Sequence, residues 1–396
     1  MVPVTDISTA TQPESVCTFR GDDVLVLLGA GASVDAHLLA SMDMTKELEN
    51  NLTSADPKIS KKWGKYKDLY KAVKSSILYG NHLTSESVSE SKNTINIEEF
   101  VNVLNELAKA ESHTIYPFIA AWNMELVRYA GVDFQALKDF RRDIVHELVG
   151  SWVNVKNNED CAYYRSLYRY WEETHYNLRV FSLNYDMCVE RACGMDNICR
   201  GFRHAQFKDG KMRKVWADGN MDDESAEKSP IRLYKLHGSL DWRRDAATRD
   251  LYCEDSPDPC NEVDDYQLIF GTTYKLSYQD PFLFQISELR KHAKEARLII
   301  AIGYSFNDDH INEILGQAMS HKDDCTIVSV EYLKPVEANS ENKRKREIAT
   351  MLKMKMDEES LERIRVDFRG ARTFFENTFG RQYVESILSE KRKEPF

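Results

Sequence analysis

Several short segments of this 396-residue chain place small, polar or ionisable residues directly after an apolar run. The first run, Val24-Leu25-Val26-Leu27-Leu28, leads into Gly29-Ala30-Gly31-Ala32-Ser33. A strand feeding a glycine turn that opens a helix can hold a pyrophosphate. Small residues admit the backbone, and the helix start offers N–H groups and positive potential. Position 34 is Val, so the full G-x-G-x-x-G is absent, and without Gly-Lys-Ser/Thr a P-loop is disfavoured. A glycine turn with no ligand is the plainer reading.

The second run, Arg179-Val180-Phe181-Ser182-Leu183, leads into Asn184-Tyr185-Asp186. Asn offers a donor and an acceptor and Asp a fixed charge, so the two can orient a sugar and a water. An Asx turn capping a helix near Cys188 competes with that role. The third, Ile231–Leu236, ends at His237-Gly238-Ser239. A histidine at a strand end, with glycine leaving room beside it, suits a general base working near neutral pH; a structural histidine is the alternative.

The fourth, Leu298–Ile302, leads into Gly303-Tyr304-Ser305-Phe306 and Asn307-Asp308-Asp309. Gly303 admits a nucleotide, Ser305 can reach phosphate or ribose, and Asp308 serves either the nucleotide or a helix N-cap. The fifth, Thr326–Val330, is followed by Glu331, placed to accept ribose hydroxyls.

Near-continuous apolar runs imply parallel strands covered by helices on both faces, and ligands of such sheets sit outside the strands' carboxyl ends. The fold class is therefore α/β, with a Rossmann-like parallel sheet and a large helical insertion. A helix is expected from about Asp35, carrying Leu38, Leu39 and Met42. Residues 44–176 lack clear strands. Asn96 and Glu99 resemble a helix cap, followed by Ile97, Phe100, Val101, Leu104 and Leu107 at helical spacing. A second helix carries Phe140, Ile144, Val145, Leu148 and Val149, and Thr84 to Lys92 reads as a mobile loop.

The expected domains are 1–43 with 177–335 as the nucleotide-binding catalytic unit, 44–176 as the insertion, and 336–396 as a charged helical tail. A further strand is expected at Leu268-Ile269-Phe270. In the tail, Lys343–Arg346 reads as a solvated face. Phe374, Phe375, Phe379 and Tyr383 mark a helix that packs on its own domain or on a neighbour, a candidate assembly surface.

The net charge of -11 disfavours direct nucleic-acid binding by this chain alone. The eight cysteines form no C-x-x-C pair, so no metal is expected and reduced thiols in a cytoplasmic protein are. The N-terminal residues do not resemble a signal peptide, and no apolar run approaches the ~20 residues of a membrane span.

Together the glycine turn at 29–33, Asn184-x-Asp186, Lys235-Leu236-His237-Gly238-Ser239 and Gly303-x-Ser305 resemble the sirtuin superfamily, over roughly 22–43 and 177–335. Ser182–Asp186 and Ile302–Asp308 are more narrowly similar to bacterial sirtuin-like domains of antiviral defence. That resemblance implies an NAD+ hydrolase releasing nicotinamide and ADP-ribose, with Asn184 and His237 catalytic. It implies NAD contacts at Gly29, Ala30, Gly31, Ala32, Ser33, Asp186, Gly303, Tyr304, Ser305, Asp308 and Glu331. Deacylases of the superfamily carry a zinc module with two C-x-x-C pairs after the His-Gly motif; here that region holds only Cys253 and Cys260, too few thiolates for a closed zinc site.

The chain's length resembles the stand-alone subunit that pairs with a HerA-type hexameric ATPase. An Argonaute-type partner is the alternative, and a homo-oligomer is expected. The competing functions are ADP-ribosyl transfer or deacylation, and a non-catalytic NAD- or ADP-ribose-sensing subunit of a DNA-acting ATPase complex.

Overall fold

The computed structural model describes residues 19–84, 95–108, 124–131, 133–206, 210, 212–222, 228–254, 266–269, 280–332 and 340–390. Strand β1 (Val24–Leu28) runs into a short 3-10 helix, Ala30–Ala36. Helices α1 (Ser41–Thr53), α2 (Pro57–Trp63), α3 (Lys67–Thr84), α4 (Ile97–Ala108), α5 (Met124–Ala130) and α6 (Gln135–Glu147) follow. A later 3-10 segment, Asn158–Arg165, leads to α7 (Ser166–Thr174), β2 (Leu178–Ser182) and α8 (Cys188–Cys193). Next come β3 (Ile198–Cys199), β4 (Phe202–Gln206), β5 (Met212–Trp216), β6 (Ile231–Lys235), β7 (Gly238–Arg244), β8 (Leu251–Cys253) and β9 (Tyr266–Leu268). The chain ends with α9 (Phe282–Glu295), β10 (Leu298–Ile302), α10 (Asp309–His321), β11 (Thr326–Val330), α11 (Ser340–Met351), α12 (Glu358–Glu362), β12 (Ile364–Asp367), α13 (Ala371–Asn377) and α14 (Arg381–Glu390).

Seven parallel strands form one sheet in the order β12-β11-β10-β1-β2-β6-β3. Every residue of β1, β10 and β11 is buried, which explains their unbroken apolar sequences. Alternate side chains serve opposite faces: Val24, Val26 and Leu28 join one core cluster, Leu25 and Leu27 the other. This is the expected Rossmann-like α/β fold. No described helix is long and apolar enough to cross a membrane.

Several expectations change. Residues 35–38 do not begin an α-helix: the chain forms the 3-10 turn to Ala36, passes through His37 at φ 62°, and starts α1 only at Ser41. Leu268 lies in β9, in a second, antiparallel sheet ordered β4-β5-β8-β7-β9 that sequence reasoning did not foresee; Phe270 lies outside the described residues. The tail contributes β12 to the main sheet, paired with β11.

Core packing also redraws the insertion. Buried described residues between Met44 and Val153 share a core built on Trp63, Tyr66, Phe100 and Phe140, with Tyr66 stacked on Phe140 at 4.4 Å. By contrast Val155, Tyr163, Tyr164, Leu167 and Tyr170 pack with β1 and β2. Side chains up to Val153 thus join the helical core, together with Tyr185 and Leu240, while those from Val155 to Tyr170 join the core on the sheet. Phe374, Phe375 and Phe379 join that same core; Phe375 lies 5.2 Å from Tyr164 and Phe379 stacks on Tyr170 at 5.4 Å. The tail aromatics thus pack on their own domain. The cap at Asn96 is present, its side chain accepting from the Glu98 N–H at 2.9 Å. The expected loop at 84–92 falls almost wholly outside the described residues.

Candidate functional site

The parallel register aligns the strand ends. Leu28 is level with Ser182 and Ile302, Ser182 with Lys235, and Ile302 with Val330. The segments that follow, starting at Gly29, Leu183, Leu236, Gly303 and Glu331, therefore emerge along one edge of the sheet, where parallel sheets bind ligands.

Sequence reasoning assigned the small residues at 29–33 to a ligand's close approach. The chain itself makes the closest one. Gly31 N–H donates to Gly303 O at 2.9 Å, and Gly29 N–H to Ile302 O at 2.9 Å. A Cβ on Gly303, at φ 63°, would lie 1.9 Å from Ala32 N, and one on Gly29 would lie 2.6 Å from Gly303 O. The Ala32 N–H turns back to Gly29 O at 2.9 Å. Three amides of the turn are thus donated within the chain, which narrows any anion grip there.

Behind the turn lies a buried polar cluster. Asn184 Nδ2 donates to Gly29 O at 2.9 Å and to Ser33 Oγ at 3.3 Å. Ser33 Oγ donates to Asp186 Oδ2 at 2.8 Å and lies 2.9 Å from Tyr164 Oη. Asp186 Oδ1 accepts from Cys188 N–H at 2.9 Å, so the expected turn is real and coexists with the Ser33 bond. Asn184 Oδ1 is buried and lacks a hydrogen-bond partner among the described residues. With its amide nitrogen fixed on two acceptors, the oxygen is the atom available to a bound hydroxyl or water.

Lys235, at the end of β6, is 2% exposed. It donates to Asp186 O and lies 3.7 Å from Glu190. Glu190 and Asp241 share Arg200 at 3.2 and 2.9 Å, closing a buried ionic cluster beneath the strand ends. The Cys188 thiol is pushed up by its hydrogen bond with Cys161 and by burial, so it stays protonated and is not a nucleophile.

His237 follows β6 and is buried, with Nε2 3.3 Å from Asp308 Oδ2. The other oxygen of Asp308 accepts from His310 and Ile311 N–H groups, capping α10. Tyr304 Oη donates to Asn312 Oδ1 at 2.8 Å, and Asn312 Nδ2 to Phe306 O at 2.7 Å, which stiffens the segment around the carboxylate. The space beside Gly238 is filled by Gln267 O, 1.9 Å from where a Cβ would sit, so this glycine admits β9 rather than a ligand. Tyr185 lies 6.4 Å from the His237 ring and donates to Ile269 O at 2.6 Å.

Two expected positions stand differently. Ser305 is exposed. Glu331 accepts from Arg344 Nε at 2.9 Å and from Ser329 Oγ at 2.7 Å. Arg344 therefore does not sit on a solvated face: its side chain is 14% exposed and ties α11 to the end of β11. Sequence reasoning missed Tyr164 and the pairing of Asp308 with His237. Neither has a local signal, because the partners lie 131 and 71 positions apart in sequence from Ser33 and His237.

Residues 178–353 match the family model described as SIR2-like domain. No curated protein matches the chain. Solved structures that do include a Sir2 homologue in complex with NAD (12% identity, TM-score 0.37, 93% of this chain and 89% of that one). Another comes from work on the mechanism and regulation of Sir2 enzymes (12%, 0.38, 94% and 93%). A third is a mutant Sir2 homologue in complex with ADP ribose (12%, 0.36, 94% and 94%).

Proposed function

We propose that this chain cleaves the nicotinamide–ribose bond of NAD+ and passes the ADP-ribosyl group to water. The carrying observation is the site's polarity pattern. At the end of β6, a buried imidazole meets a buried carboxylate. Just beyond the adjoining strand β2, Asn184 keeps an oxygen without a hydrogen-bond partner among the described residues, in a buried position. The SIR2-like match over 178–353 supports the same reading.

NAD+ supplies the glycosidic bond: with one water it gives nicotinamide, ADP-ribose and a proton. His237 Nδ1, the ring nitrogen turned away from Asp308, accepts that proton from water or a ribose hydroxyl, and Asp308, beside Nε2, steadies the imidazolium so formed. Asn184 Oδ1 orients the hydroxyl or water. Asp186, through Ser33, holds the Asn184 loop against the glycine turn. The Ala30 amide and the rim residues Tyr304 and Ser305 form the nucleotide's wall, and Glu331, with lone pairs beyond those facing Arg344, borders the ribose side.

In the cell this activity is that of an anti-phage effector, depleting NAD in the cytoplasm when assembled as a homo-oligomer with a HerA-type ATPase. Support for that step is the resemblance of Ser182–Asp186 and Ile302–Asp308 to defence-associated sirtuin-like domains. Nicotinamide and ADP-ribose are measured by mass spectrometry with purified chain, with and without the ATPase and with and without an acyl-lysine peptide. Release without peptide supports hydrolysis. Release that requires peptide, with acyl transfer to ADP-ribose, points to deacylation. Unaltered turnover in His237→Ala would overturn the assignment.

A further inference from the structure

At the opposite, amino-terminal end of the sheet, three potential ligands converge. Asp22 lies in the 3-10 turn Gly21–Asp23 that leads into β1, and His292 and Glu295 lie in the last turn of α9. One ligand atom from each lies within 4.8 Å of the others. His292 is 5% exposed, yet its Nδ1 has no hydrogen-bond partner among the described residues. It faces Glu295 Oε2 at 3.6 Å, too long for a hydrogen bond.

The other ring nitrogen is already engaged, which leaves Nδ1 for a ligand. His292 Nε2 lies 3.1 Å from Glu288 Oε2. A carboxylate only accepts, so Nε2 donates there, and in the neutral ring, the form that binds a metal, the lone pair is on Nδ1. A carboxylate behind a histidine is the usual support for a metal-bound imidazole, fixing both tautomer and ring orientation. Arg179 donates to Asp22 and fixes that carboxylate in turn.

Asp22 and Glu295 side chains are 47% and 52% exposed, so an ion has access and both carboxylates can adjust. Ligands of a tetrahedral ion sit roughly 3.4 Å apart when each is ~2.1 Å from the metal, a small contraction of the present cluster. One imidazole with two carboxylates suits a first-row divalent cation better than Mg2+ or Ca2+, which prefer all-oxygen shells.

We propose that Asp22 Oδ, His292 Nδ1 and Glu295 Oε bind one divalent transition-metal ion of the zinc type, with water completing the shell. The site contains no thiol, so it is independent of the cysteine pattern from which no metal was expected. It pins the end of α9 to the start of β1, on the far side of the sheet from His237.

Zinc is the probe. Full-length protein is stripped with chelator, titrated with ZnCl2, and studied by X-ray absorption and thermal unfolding. The expected result is one zinc per chain, a shell of nitrogen and oxygen at about 2.0–2.2 Å with no sulfur at about 2.3 Å, and a melting point raised by zinc. Asp22→Asn with Glu295→Gln, both exposed and outside the core, should lose that zinc and its thermal shift while keeping the parent circular dichroism. Glu288→Gln should weaken binding about 10- to 100-fold. Sulfur in the shell, absence of bound zinc, or binding unchanged in the double variant would each overturn the site.

Discussion

His237 and Asp308 are joined by a single carboxylate that does two jobs: Oδ2 lies 3.3 Å from the imidazole, while Oδ1 caps α10. The pairing couples the helix start after β10 to the end of β6, three positions away across β1 and β2. The two jobs are separable by substitution. Asp308→Asn keeps a good cap but removes the charge. It should leave the melting point nearly unchanged and lower nicotinamide release by about 10²-fold, within the range of general acid–base contributions. Asp308→Ala should show the same loss and an added ~1 kcal/mol of destabilisation from the missing cap. Equal activity in the Asn variant and the parent would show that Asp308 serves only the helix.

The glycine turn predicts a stability contrast. In Gly303→Ala the new methyl meets the Ala32 and Gly31 backbone, and the residue must hold φ 63°. The loss should exceed about 3 kcal/mol in denaturant unfolding, at the severe end for single substitutions. Gly80→Ala, in α3 with open space around the site, should instead stabilise by about 0.5–1 kcal/mol. Comparable behaviour of the two variants would contradict the backbone-to-backbone packing.

Arg200 is 5% exposed and neutralises Glu190 and Asp241, themselves 2% and 0% exposed. Arg200→Met leaves buried carboxylates short of a partner and should cost roughly 3–5 kcal/mol. Chemical unfolding provides the measurement, and a loss below ~1 kcal/mol would mean Lys235 suffices for the cluster.

The inserted helices carry an acid-sensitive link. Burial pushes the Glu49 carboxyl up, but hydrogen bonds from Lys74 and Tyr70, and the Lys74 charge, bring it below its ordinary value of 4.5. Tyr70 Oη donates to Glu49 Oε1 at 2.6 Å, joining α1 to α3. A depressed folded pKa gives stability that is complete above 4.5 and lost as pH falls through the folded value. Because the pair is partly exposed, the contribution should be a few tenths of a kcal/mol. Unfolding of parent and Glu49→Gln should therefore differ at pH 6 and converge as the pH falls below 4.5. A difference that persists at low pH would assign the effect to packing instead.

The sequence by itself determined the strands of the parallel sheet that are buried on both faces. Leu298–Ile302 and Thr326–Val330 were legible to the residue because complete burial leaves an unbroken apolar run. It also put Asn184 and His237 just beyond the ends of two of these strands, the edge where parallel sheets bind ligands. The short β3, β4, β5, β8 and β12 were not legible. β4, β5 and β12 are largely half-buried or exposed and carry charges, and β3 and β8 are only two and three residues long, so neither alternation nor an apolar run marks them.

Only the tertiary structure decided what each polar residue meets. It gave Asp308 to His237 and Arg344 to Glu331, brought Tyr164 to Ser33, and set Gly303 against Gly29 and Gly31. It also packed Val155, Tyr163 and Tyr164 with the sheet and Trp152 and Val153 with the helices. These outcomes depend on strand order and register, which bring distant segments to one edge. A residue's type fixes its chemistry, but its partner is fixed by how the sheet is threaded.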